Sequence, residues 1–226
     1  MPYTNTLIDD TITFVKQQLQ DAEAGHDWSH IQRVYHMADA LAIKEHANRE
    51  IVALSALLHD IADPKFHNGD ESLAPKIIKE FLNAHKVTHN IIDEVLYVVT
   101  HLSFKNHQAF PNNPSIELQV VQDADRLDAI GAIGVARAFN FGGFKNNLMY
   151  HPDIKPQTHF DKDTYKKSQG TTINHFYEKL LLLKDKMNTT AGKAMAERRH
   201  QFMLTFLDEF YQDWYTKDAD ESVSLP

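Results

Sequence analysis

The sequence predicts an all-α fold, organised as a single-domain helical bundle. Apolar residues recur at helical spacing in one segment after another. Start and stop signals bound these segments, with Asp27 and Ser29 ahead of one helix and Asp63-Pro64 behind the next. No internal repeat, low-complexity tract or linker marks out a second domain. At 226 residues the chain is long enough to bury a full core. The bundle is read as residues 1–217, with 218–226 as a frayed tail.

The elements follow in order. Leu7 to Leu19 reads as an amphipathic first helix. From His30, the residues Val34, Met37, Ala38 and Leu41 repeat at helical spacing. Residues 50–62 form a strongly apolar helix that stops before Pro64, because the residue ahead of a proline disfavours helix. Residues 70–85 and 88–102 are two more helices, and Ile91, Ile92, Val95, Val98 and Val99 give the second its apolar face. Residues 116–140 read as one helix weakened by Gly131 and Gly134, where close packing is expected. Residues 103–115 and 142–172 lack periodicity, and a loop as long as the second is more often functional than idle. Two strong helices close the chain, one carrying Phe176, Leu180, Leu183 and Met187, the other Met203, Phe206, Leu207, Phe210 and Trp214.

Composition narrows the function. No apolar run approaches a membrane span, and MPYTNTLIDDTITFV lacks the basic and apolar regions of a secretory signal. The absence of cysteine removes disulfides, thiolate metal sites and a cysteine nucleophile. These features lead us to expect a cytoplasmic protein without a membrane partner. A net charge of −8 argues against a nucleic-acid polymer as partner but not against a small phosphorylated molecule. Fourteen histidines are many for this length and raise the expectation of a metal site.

The chemistry centres on His59-Asp60. The pair follows the run IVALSALL, so it emerges where an apolar helix leaves the core. Buried there, an imidazole and a carboxylate need partners, and together they are natural ligands for a divalent cation. His30 shares a helical face with Val34, Met37 and Leu41, so it points toward the core. Asp125 lies in VVQDADRLDA, where three carboxylates follow an apolar strip. Residues on three separate helices can converge inside a bundle. Two imidazoles and two carboxylates leave positions open on an octahedral ion for water and a phosphate oxygen.

At these residues the sequence resembles the HD-domain superfamily of metal-dependent phosphohydrolases, whose pattern is a His, then His-Asp, then a distant Asp. Here it reads SHIQRV, LLHDIAD and DADRLDA. GHDWSHIQRV, HDIADPKF, DADRLDAIGAIGVARAF and HFYEKLLLLKDKMNT extend the resemblance to the small bacterial HD hydrolases, over roughly residues 20 to 215. The resemblance implies a helical bundle of the HD-domain type. It implies that His30, His59, Asp60 and Asp125 bind a divalent cation, manganese, magnesium or another transition metal. By position, Asp63 is the acid that orients the attacking water, and Arg126 is a basic phosphate contact. The implied reaction is hydrolysis of a small phosphorylated substrate, with a nucleotide as the first choice, as a pyrophosphohydrolase or phosphatase.

Other residues carry two readings each. Asp63 is three residues past Asp60, a spacing that lets both face one site. Lys65 and Lys105 are candidate phosphate clamps, though most lysines are simply solvated. His26 is either a polar residue near the site or a loop histidine, and His101 either a substrate contact or a hydrogen-bonded core histidine. Asp123 and Asp128 cannot both share a face with Asp125, so outer-shell or capping roles are expected for them. Lys179 reads as solvated, while His175 and Arg199 are open between surface residues and a closing contact on the substrate. Two other functions remain. A nucleotide-binding or sensor module would keep the fold without turnover. A di-metal oxygenase would need further ligands, for which His26 and His101 are the attractive candidates.

Overall fold

In the computed structural model, the described residues are 5–20, 27–61, 72–102, 111–157 and 170–216. They are mostly helical, with no strand among them. They group into two compact units. The first runs through Asp125 and includes Asn188–Gly192; the second comprises Arg126–Met187 and the residues from Lys193 onward.

The first unit begins with α1 (Asn5–Gln18), whose Ile8, Thr11 and Val15 are buried at helical spacing. α2 (Trp28–Glu45) starts at Asp27, whose carboxylate accepts from the His30 amide at 3.0 Å. It ends at His46, which adopts a left-handed conformation (φ 55°), with the next amide returning to Ala42 O at 3.0 Å. α3 (Arg49–Leu58) is capped by Asn48, and every residue from Ile51 to Leu58 is buried. A helix apolar all round belongs inside its unit, and α3 packs against α1, α2 and α5. α4 (Leu73–Ala84) and α5 (His89–Leu102) pack on each other. Phe14 of α1 stacks on Phe81 of α4, with ring centroids 4.3 Å apart.

The apolar helix is shorter than expected. α3 stops at Leu58 rather than at residue 62, and His59, Asp60 and Ile61 form a turn. The cause is local: His59 Nδ1 lies 2.8 Å from Ala56 O, so the ring satisfies one of the carbonyls that a helix end leaves open.

The expected helix over 116–140 is two helices, α6 (Ile116–Asp128) and α7 (Gly131–Phe144). The break falls at Ala129-Ile130, and Gly131 has a φ of +76°, which side chains rarely adopt. The Arg199 side chain fills the space beside it, with Cγ 2.9 Å from where a Cβ would lie. Gly131 therefore divides the helix, while Gly134 lies within α7 and packs closely on the Ala129 carbonyl.

In the second unit the segment after α7 makes turns through residue 157. Thr171 then caps α8 (Thr172–Glu178) by accepting from the Asn174 amide at 3.1 Å. The expected single helix over 176–187 changes form at Lys179 (φ −142°, ψ −55°) and continues as a 3₁₀ helix, Leu180–Lys186. α9 (Thr190–Tyr215) is the long terminal helix. Its Phe206 and Phe210 pack with Phe139 and the buried Phe176 in an aromatic cluster, where Phe176 and Phe206 stack at 5.7 Å. The tail expected from residue 218 lies outside the described residues.

Candidate metal centre

Three segments of the first unit build the site. His30 sits in the first turn of α2, and the Asp27 cap binds that residue's own amide. The capping bond that starts the helix thus also fixes the backbone of a proposed ligand. His30 is only 3% exposed. His59 and Asp60 come from the turn that ends α3. Asp125 comes from the last turn of α6 and is 41% exposed.

His30 Nε2 is 3.8 Å from Asp60 Oδ2 and 3.4 Å from Asp125 Oδ1. His59 Nε2 is 3.5 Å from Asp60 Oδ2. The two imidazoles stand edge to face, 5.5 Å apart at 70°. Donor atoms of His30, His59 and Asp60 all lie within 4.8 Å of one another. Ligands bound to one ion at about 2.0–2.2 Å sit roughly 3–4.4 Å from each other. The three imidazole–carboxylate distances of 3.4, 3.5 and 3.8 Å fall in that range, so the donor set fits a divalent metal.

His59 is oriented for that task. Its Nδ1 faces Ala56 O at 2.8 Å, which leaves Nε2 toward the cluster. A backbone carbonyl on the far ring nitrogen commonly fixes the tautomer of a metal-ligating histidine. The bond that ends α3 therefore also aims the ligand.

The other expected residues fall in different places. Arg126 follows Asp125 on α6, and its guanidinium donates to Lys186 O. His101 is in the last turn of α5, with Nδ1 2.8 Å from Tyr97 O and its ring against Tyr97. It does not join the three-residue donor group, which is the only one among the described residues. His26, Asp63, Lys65 and Lys105 lie outside the described residues. Asp128 is buried and paired with Arg137, and Arg199 donates to Leu127 O. His175 is held neutral: burial first, and then the Lys179 ammonium, lower its pKa to about 4. Lys179 itself is exposed. For Asp123 the sequence suggests an outer-shell or capping role without naming its partners. Its partners are Asn188 and Thr189, a pair that reads in the sequence as a helix-capping signal ahead of α9.

Comparison with known proteins bears on this geometry. The model of the HD domain matches residues 27–130, a span that contains all four proposed ligands. The Bacillus subtilis protein YpgQ is 37% identical over 211 residues, which cover 93% of this chain and 95% of the relative. The chain belongs to the HD-domain superfamily. It has the HD-superfamily hydrolase fold, shared with the crystal structure of an HD-superfamily hydrolase from Bacillus thuringiensis. That protein is 42% identical with a TM-score of 0.77, over 94% of this chain and 99% of the other. The crystal structure of YpgQ in complex with ADP matches at 34% identity and a TM-score of 0.72, over 91% of this chain and 97% of the other. No helix among the described residues is long and apolar enough to cross a membrane.

Proposed function

We propose that this HD-domain protein is a divalent-metal-dependent phosphohydrolase acting on a small phosphorylated molecule, with a nucleotide as substrate. The observation that carries the reading is the grouping of His30, His59 and Asp60 within 4.8 Å, with Asp125 3.4 Å from His30. In this reading His30, His59, Asp60 and Asp125 hold one manganese or magnesium ion. Such an ion, when bound, lowers the pKa of water and neutralises charge on a phosphoryl group. Asp60 and Asp125 offset the charge of the ion, while the two neutral imidazoles supply nitrogen donors. Asp63, three residues after Asp60, orients the attacking water and accepts its proton. Arg126, next in the chain to Asp125, contacts phosphate, as do Lys65 and Lys105. His101 and His26 are assigned to the rest of the substrate. The ADP complex of YpgQ supports a nucleotide as the ligand class.

The test is a panel of nucleoside mono-, di- and triphosphates assayed for released phosphate and pyrophosphate with added manganese or magnesium. Release of either product is expected, and which one appears separates phosphatase from pyrophosphohydrolase. Tight nucleotide binding without release under any divalent ion would make the protein a sensor module instead. A metal content of two per chain would favour the oxygenase alternative, which needs ligands beyond the one donor group described.

A further inference from the structure

Asp123 is fully buried on α6, two residues before the proposed ligand Asp125. Its carboxylate accepts four hydrogen bonds, all from one short segment. Oδ1 accepts from the Asn188 amide at 2.8 Å and from Asn188 Nδ2 at 3.0 Å. Oδ2 accepts from the Thr189 amide at 2.8 Å and from Thr189 Oγ1 at 2.8 Å. Every partner is a donor, which suits an ionised carboxylate that can only accept. Asn188 Nδ2 also donates to Gln122 Oε1 at 3.0 Å, so a second residue of α6 holds the same turn.

The turn has its own anchors. Thr189 Oγ1 accepts from the Gly192 amide at 2.9 Å, and Glu45 of α2 accepts from the Ala191 amide at 2.6 Å. The turn is thus tied to α2, the helix that carries His30, as well as to α6. Gly192 completes the fit, because a Cβ there would fall on Asp123 Oδ2 and Thr189 Oγ1.

Residues two apart on a helix point about 200° apart around its axis. Asp125 faces the ligand cluster, so Asp123 faces away from it into the turn. A helix gripped on its back face cannot easily rotate or slide. With Cα atoms about 2.3 Å from the axis and a carboxylate reaching further, a rotation of about 20° would move the Asp125 oxygens by roughly 2 Å. That error is comparable to a metal–ligand bond length.

We propose that Asp123 is a positioning residue for the metal centre: clamped by Asn188 and Thr189, it sets the orientation of α6 and so holds Asp125 at the ion. The proposal rests on the reading that His30, His59, Asp60 and Asp125 bind a divalent cation. Its test is the manganese affinity of full-length variants, measured by titration calorimetry and by the spectrum of bound Mn(II), with circular dichroism as the check on folding. Asp123→Asn keeps the shape but places an amide where donors converge. It should weaken Mn(II) binding about tenfold, as loss of an outer-shell partner does. Thr189→Val, which removes one donor, and Gly192→Ala, which crowds the carboxylate, should weaken binding in the same direction. Thr189→Ser keeps the hydroxyl and should restore affinity to within about twofold of the natural chain. A purely structural role would lower thermal stability and leave the affinity and Mn(II) spectrum of the folded fraction unchanged. That result, in Asp123→Asn or, where this variant does not fold, in Thr189→Val, overturns the proposal. Failure of the natural chain to bind Mn(II) would instead remove the metal reading, and the positioning role with it.

Discussion

Single side chains here often carry two tasks. His59 closes α3 with one ring nitrogen and offers the other to the cluster. Asp27 starts α2 and fixes the His30 backbone in one bond. Asp60 approaches both imidazoles, 3.8 Å from His30 and 3.5 Å from His59, and so stands at the junction of the site. Asp60→Ala is therefore expected to abolish Mn(II) binding and turnover together; calorimetry and product release measure the two. Stoichiometric metal with full activity in that variant would contradict the assigned role. His175 gives a separate prediction about stability. Its folded pKa of about 4 lies below the ordinary 6.5, so the unfolded chain binds the proton more tightly. The stability from keeping it neutral is present above about pH 6.5 and is lost as pH falls toward 4, up to about 3 kcal/mol. Urea midpoints of His175→Gln should depend less on pH across that window than those of the natural chain. Parallel curves would show that His175 is not held neutral by the fold.

At the scale of helices, ends matter more than lengths. α3 has buried residues on all sides, and Leu57 is fully buried, so Leu57→Ala should cost about 2–5 kcal/mol in denaturant unfolding. Asp27→Ala should cost about 1 kcal/mol as a lost cap, and it should also loosen His30, which metal titration would register. Gly131→Ala would place a side chain at φ +76° against Arg199, so a loss of stability larger than the roughly 1 kcal/mol of an ordinary glycine change is expected by the same unfolding measurement. The periodic pattern made the helical class and the buried faces of α2 and α5 legible in the sequence, because apolar spacing follows directly from burial. It did not make the breaks legible. The stop at Leu58 depends on where the His59 ring turns, and the division at Ala129-Ile130 on the conformation of Gly131 and its fit to Arg199. The change to a 3₁₀ helix at Lys179 leaves no mark in a run of four leucines. The order of His30, His59-Asp60 and Asp125 along the chain is what marked them as proposed ligands. The partners of Asp123 were not legible, since they lie 65 and 66 residues away.

In the chain as a whole, the proposed ligands come from three segments far apart in sequence and meet only when α2, the end of α3 and α6 are folded. The unfolded chain has no such donor group. A ligand that binds only the folded form stabilises it by mass action. Bringing Asp60 beside both imidazoles and Asp125 beside His30 also gathers acceptor groups in a chain of net charge −8, and a bound cation relieves that cost. Mn(II) at about 100 times its dissociation constant should therefore add about 2.7 kcal/mol of stability. For a chain of this size that corresponds to a rise of roughly 5–10 °C in Tm. Thermal melts with Mn(II), and again after a chelator, measure the shift. The rise should vanish with the chelator and be absent in Asp60→Ala. It should be present but reduced in Asp123→Asn at the same ion concentration, since a tenfold weaker site subtracts about 1.4 kcal/mol. An equal rise in the natural chain and in Asp60→Ala would place the stabilising ion somewhere other than this centre.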